Sequence, residues 1–262
     1  SEDSEIHQLE DFSFSCSSLE SITIPSSVAE IGKHCFSYCQ KLKSVKFSAN
    51  SELRFLGSHA FYASALEFLA LPSSVEEMAP EWCRDVRSLV SIEILASGEK
   101  RPNICVYQGQ FILAKNDVKS DDFDVLLFAT RNVQKVVVPR FVRKIAQNAF
   151  DVCKKLRSVS FEDNSRLEIV DKCAFGFTSV VSMELPKSVR YVADRAFENC
   201  KVIQKVEFEK EAKLCLLGNE VFSMSGIKEI NIPSSVIRLP KSLFYGCGSL
   251  EKVKFDINSK II

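Results

Sequence analysis

Ten cysteines and three histidines carry the most reactive side chains of this 262-residue chain. Thiolates and imidazoles can hold zinc, close disulfides, or act as nucleophile and base, and each use demands its own spacing. The spacing found is a different one. Cys39, Cys153, Cys200 and Cys247 each follow a phenylalanine (Phe36, Phe150, Phe197, Phe244) by three residues, and no C-x-x-C occurs. A fixed register of this kind reads as a ladder of small buried side chains, a role that free cysteine fills readily. If its members recur every second coil of an array they stand ~9–10 Å apart, beyond disulfide reach. Cys16, Cys35, Cys83, Cys105, Cys173 and Cys215 are scattered. Reduced, structural thiols are expected, which leans toward a reducing compartment.

His34 and His59 share a second register, two residues before Phe36 and Phe61, and Glu81 takes the next such place. With Cys35 nearby these are metal-ligand types, but polar residues in one solvent-facing column account for them, so no metal and no other cofactor is expected. There is no G-x-S-x-G, no phosphate-binding loop and no Ser/His/Asp grouping within one repeat. No catalytic residue is therefore assigned and the chain is not expected to be an enzyme. A glycosidase-like carboxylate pair, on the precedent of enzymatic β-helices, stays as the third alternative.

What must position all of these residues is a repeat. Pro25 and Pro72 stand 47 residues apart, as do Pro139 and Pro186, and Pro186 and Pro233. Each period holds two coils, marked by Phe14, Phe36, Phe61, Phe150, Phe175, Phe197, Phe222 and Phe244, with steps of 22 and 25 alternating where the markers are consecutive. An L-x-x-L-x-L run follows each marker, as in Leu42/Val45/Phe47 and Ile203/Val206/Phe208. The last two apolar positions alternate as a strand does, one residue between them facing solvent. Ten such runs predict ten short parallel strands, one per coil of 22–25 residues. A second apolar pair, such as Val28/Ile31, Val189/Val192 or Val236/Leu239, is expected to form the opposite wall, with the phenylalanine closing the core between them.

The period breaks once. Ile94 and Val138 are 44 residues apart where a half-period has 24. The surplus predicts an inserted β-hairpin or flap with Lys119-Ser120-Asp121-Asp122 near its tip. The expected organisation is a single solenoid over 1–262: N-terminal coils 1–95, insertion 96–130, C-terminal coils 131–262. In the coil before the insertion, Trp82-Cys83 replaces Cys35-Phe36, which reads as local repacking. Ser4–Leu9 aligns with Ser51–Leu56 and Asn258–Ile261 with Asn50–Leu53, and no polar capping repeat is visible. Part of a longer array, or ends that meet another chain by self-association, is expected.

Charge excludes further classes. Lys+Arg and Asp+Glu are both 34, so no single-sign field is available for nucleic acid or an anionic membrane. No apolar run reaches membrane-spanning length and the N-terminus is not a signal peptide.

The stretch from Ile24-Pro25-Ser26-Ser27-Val28 through Ile31-Gly32, Cys35-Phe36, Cys39 and Leu42 to Phe47 resembles the BspA-like, Treponema pallidum-type leucine-rich repeats. So do Asn148-Ala149-Phe150-Asp151-Val152-Cys153, Arg195-Ala196-Phe197-Glu198-Asn199-Cys200 and Phe244-Tyr245-Gly246-Cys247. The resemblance implies a leucine-rich-repeat solenoid on the surface of mucosal bacteria or protozoa, acting in adhesion and in host–pathogen contact with extracellular-matrix proteins. It assigns no residue, because the motif consists of core positions. From the strand pattern the expected contacts are the outward-facing Lys46, Phe68, Glu93, Lys135, Glu184 and Glu207, with Phe68 the one aromatic among them. An intracellular scaffold is the alternative; the absence of any N-x-[ST] sequon mildly favours it or a prokaryotic source.

Overall fold

Each L-x-x-L-x-L run places two apolar side chains on one face of an extended segment, and that face can be buried only against the coils on either side. All ten runs are strands. A computed structural model describes residues 5–96, 102–117 and 119–257. Ser4 and Asn258–Ile261, which carry the end alignments, lie outside the described residues. Among the described residues there is no helix, and so none long and apolar enough to cross a membrane.

The chain divides into two compact units, Ser1–Phe123 and Asp124–Ile262. In the first, Ser21–Ile24, Ser44–Phe47, Phe68–Pro72 and Ser91–Leu95 form a parallel sheet in that order. In the second, six parallel strands run in order: Lys135–Val138, Ser158–Phe161, Ser182–Leu185, Lys205–Phe208, Glu229–Ile232 and Lys252–Phe255. The pleat is as expected: Val45 and Phe47 are buried with Lys46 exposed between them, and Met183 and Leu185 enclose the exposed Glu184.

The opposite wall is more regular than one strand per coil implies. Two-residue parallel strands stack there as well: Gln8–Leu9, Glu30–Ile31, Phe55–Leu56 and Glu77–Met78 in the first unit, and Lys144–Ile145, Ile169–Val170, Tyr191–Val192 and Leu216–Leu217 in the second. Their ladder continues one residue further, where Gly32, Ala193 and Gly218 donate N–H to Leu9, Val170 and Val192. The pair Val236/Leu239 departs from this pattern. No strand forms, Val236 is buried and Leu239 is exposed. The cause is Pro240, which falls where Ala193 and Gly218 supply that N–H and has none to give.

Between the walls the marker phenylalanines stack ring on ring. Centroids are 5.2 Å apart for Phe14–Phe36, 5.5 Å for Phe36–Phe61 and 5.0–5.7 Å from Phe150 through Phe175, Phe197 and Phe222 to Phe244. Their planes lie within 11° of parallel. Spacing puts Cys83 in this column, but the ring that meets Phe61 is Trp82, edge-on at 83°.

The inserted hairpin is Ile104–Tyr107 against Phe111–Ala114, antiparallel, turning through Gln108 and Gly109, both at positive φ. Its tip is therefore at residues 108–110, and Lys119–Asp122 belong to a separate turn in which Ser120 N–H reaches Asp117 C=O. The Val125–Phe128 run lies outside the hairpin: Val125–Ala129 is a wall strand, parallel to Lys144–Ile145. Gly109 explains the shift, since a tight antiparallel turn needs left-handed backbone that glycine supplies and the 119–122 stretch lacks.

Candidate functional site

The strands impose a grid on the solvent face of each sheet, because parallel register sets equivalent side chains side by side at ~4.8 Å. In the first unit one row reads Ser44, Phe68, Ser91. The half-buried Phe68 ring thus stands between two serines. Lys46 and Glu93 lie two residues further along their strands, in the next row, with the nearly buried Ala70 directly beside Glu93. Phe68 and the two charges are diagonal neighbours, not one row.

In the second unit the first row links Lys135 to Ser158, and further along Lys205, Glu229 and Lys252. The second row puts Glu184 directly beside Glu207. Lys205 bridges Glu207 and Glu229: its Nζ lies 2.6 Å from Glu207 Oε1 and 3.5 Å from Glu229 Oε1. The hydrogen bond to Glu207 and the two carboxylate charges hold this ammonium above its usual lysine range. A groove of about 430 Å³ opens beside it, lined by Lys205, Glu207, Glu229, Asn231, Lys254 and Asp256 among others. Of the six expected contacts, Lys46, Phe68 and Glu93 belong to the first unit and Lys135, Glu184 and Glu207 to the second; of these, Glu184 and Glu207 are direct register partners.

The cysteine column carries no reactive centre. Sγ of Cys39, Cys200 and Cys247 donates to the carbonyls of Phe14, Phe175 and Phe222 at 3.1, 3.0 and 2.8 Å. Each also meets a hydroxyl of the preceding coil, from Ser17, Thr178 and Ser225. Burial pushes the Cys200 thiol up to about 11 and the Cys35 thiol to about 12, which keeps both protonated and unreactive at neutral pH. No disulfide joins any of the ten cysteines.

The 22- and 25-residue steps also contain this hydroxyl column, Ser17, Ser64, Thr178 and Ser225, and they put Arg131 in it. Arg131 is buried, its guanidinium 4.2 Å over the Phe128 ring and its Nη1 bonded to the carbonyls of Ala129 and Ala149. Sequence reasoning followed apolar positions and did not register it. His34, His59 and Glu81 do come together, joined by Phe12 and Tyr62, but as stacked rings and one carboxylate. Among the described residues no three His, Cys, Asp or Glu side chains are grouped as a metal centre.

Comparison with known proteins agrees with this geometry. The chain is similar in structure to the pneumococcal vaccine antigen PcpA (TM-score 0.81, 23% identity, 98% of this chain and 62% of that one). It is also similar to a leucine rich cell surface protein from Faecalibacterium prausnitzii (0.65, 21%, 91% and 60%) and to a leucine-rich repeat protein from Eubacterium ventriosum (0.74, 16%, 96% and 71%). The chain spans about 60% of the length of the first two. No curated protein matches it in sequence. The model of the BspA type leucine rich repeat region matches residues 3–105 and 125–251 in six copies. The chain belongs to the BspA-type leucine-rich-repeat family.

Proposed function

We propose that the chain is a non-catalytic protein-binding module of a cell-surface adhesin, and that its ligand lies on the solvent face of the strand sheets. One observation carries this reading. Strand register holds outward side chains of both charges, and one aromatic ring, in fixed rows on a rigid sheet, while the repeat motif itself is spent on the core. Preorganised rows reduce the ordering cost of binding, and an aromatic set among small residues is a natural anchor. The groove at Lys205, Glu207 and Glu229 offers a charged recess for the same ligand. Similarity to a vaccine antigen and to a leucine rich cell surface protein supports the location.

The ligand class that the family implies is an extracellular-matrix protein. Binding of the wild-type chain to a panel of purified matrix proteins, repeated with Phe68→Ala, tests the proposal. A complex weakened about tenfold or more, with an unchanged melting curve, supports it; no matrix protein bound, or equal binding by Phe68→Ala, removes it. Ten cysteines without a disulfide favour a second reading, an intracellular scaffold. A free-thiol count with surface labelling on native material separates the two.

A further inference from the structure

On the turn side of the first unit, the first of two left-handed positions in each coil is Phe12 (φ 60°), His34 (54°), His59 (58°) or Glu81 (65°). The same unusual backbone state at the same place in successive coils aims each side chain the same way, so neighbours superpose at coil spacing. Phe12 and His34 stack at 4.9 Å, and His34 and His59 at 4.7 Å with planes 13° apart. Tyr62 turns its edge to both imidazoles and Tyr38 its edge to Tyr62. His59 Nε2 lies 2.8 Å from Glu81 Oε2, and its Nδ1 lies 2.8 Å from Ser58 Oγ.

These partners suit a neutral His59. Nε2–H donates to the Glu81 carboxylate and Nδ1 accepts the Ser58 hydroxyl, so both ring nitrogens are used without a second ring proton. Protonation at Nδ1 reverses this bond, the Ser58 oxygen then accepting from the ring. The His34 ring is sandwiched between Phe12 and His59. Two charged imidazoles in this stack would have their ring centroids only 4.7 Å apart and would repel each other. The other charged groups around His59 are divided: Lys33 and Arg84 add positive charge and Glu81 opposes them. Burial is the largest influence, and the net effect lowers the proton affinity of His59 despite Glu81.

We propose that this column is an acid-sensitive clasp: the stacked imidazole pair does not accommodate two charges, and protonation of His59 separates the rings and opens the turn ladder of the first unit. The sign follows from linkage. A base whose folded affinity for protons is below its unfolded value of 6.5 contributes stability that is complete above pH 6.5 and is lost as pH falls below it. In that window opening takes up one proton, so the opening constant rises up to about tenfold per pH unit. The second unit is an internal control. Its equivalent column is Asn148, Cys173, Arg195, Glu220 and Ser242, with a two-pronged Arg195–Glu220 pair and no imidazole.

Amide exchange of the intact chain, followed by NMR from pH 7 to 5 and corrected for intrinsic rates, reads this directly. The reporters are the N–H groups of Phe12, His34 and Phe36, bonded to Lys33, Ser58 and Ala60, against those of Phe175 and Phe197, bonded to Ala196 and Val221. Opening constants of the first set are expected to rise with each step below pH 6.5, by up to about tenfold per pH unit, while the second set stays within about twofold. In His59→Asn, which keeps a residue tolerant of left-handed backbone, the rise is expected to vanish. Equal response of the two units, or a rise that persists in His59→Asn, overturns the proposal. If that variant fails to fold, the ring-proton titration of the wild type decides: two well-separated steps support the clasp, and two coincident steps near 6.5 overturn it.

Discussion

Arg131 Nη1 lies 3.3 Å from Cys153 Sγ, in the place where Thr178 Oγ1 meets Cys200 Sγ at the same 3.3 Å one period later. A cationic side chain has taken the post of a hydroxyl and fills the core beside the first wall strand of the second unit. Its Nε has no hydrogen-bond partner, and neither has the buried Thr130 Oγ1 next to it. Buried charge without a carboxylate partner contributes little net stability, whereas its aliphatic stem and planar head fill volume. Arg131→Met is therefore expected to leave stability unchanged or raise it by about 1–3 kcal/mol, and Arg131→Ala to lower it by about 2–4 kcal/mol. Urea unfolding of the two variants checks the pair, and a large loss in Arg131→Met would contradict it.

Phe197 is stacked on both sides, by Phe175 at 5.4 Å and Phe222 at 5.5 Å. Removing it breaks two ring contacts and leaves a void between coils that cannot collapse independently. Phe197→Ala is expected to cost about 3–5 kcal/mol. Phe68→Ala, on the sheet surface, is expected to stay within about 1 kcal/mol. Chemical denaturation of both variants measures the contrast.

A turn position shared by Asn50, Asn164 and Glu211 has φ of 57°, 58° and 60°. Asparagine tolerates left-handed backbone and glutamate does not. Glu211 is exposed, so no burial is lost on replacing it. Glu211→Asn is expected to stabilise the chain by about 0.5–1 kcal/mol, seen as a higher melting temperature. An unchanged or lower value would mean that the Glu211 side chain repays its backbone strain.

The thiols give an alkaline limit. Cys35 and Cys200 are held protonated in the folded chain, at about 12 and 11, against 9.0 when exposed. A raised folded value means that their contribution is complete below pH 9 and is lost as pH rises from there through 11 and 12. Denaturation midpoints measured from pH 8 to 11 are expected to fall above 9, and less steeply in Cys200→Ala relative to its own value at pH 8. In native protein at neutral pH the exposed Cys16 and Cys215 are expected to react with a thiol reagent, and Cys35, Cys153 and Cys200 only after unfolding.

Every strand of the sheet faces was legible because its signal is local: two apolar residues flanking a polar one, at a fixed distance from a phenylalanine. The cysteine column was legible for the same reason, since a small residue in constant register has one role. Pro240 and Arg131 were not. Proline ends a wall strand only if its own N–H would have been the next rung, which becomes visible once coils are aligned on Ala193 and Gly218. Arg131 reads as a surface cation until the hydroxyl column is traced through it. The hairpin was legible as a surplus of chain, but Lys119–Asp122 looked like its tip because polar stretches mark turns in general, while the backbone turned at Gln108–Gly109. At the strand faces the sequence names the outward residues without saying which of them gather, because that depends on register, and register places Glu184 beside Glu207 while setting Phe68 a row away from Lys46.

The central claim, that the strand faces receive the ligand, is tested most directly by lysine footprinting of the chain alone and in complex with a bound matrix protein. Lys46, Lys135, Lys252 and Lys254 are exposed on strands, and Lys33, Lys172 and Lys241 are exposed on turns away from them. Loss of acylation at the strand lysines of at least one unit, with the turn lysines unchanged, is the expected result. Protection of Lys33, Lys172 or Lys241 with the strand lysines still fully reactive would contradict it.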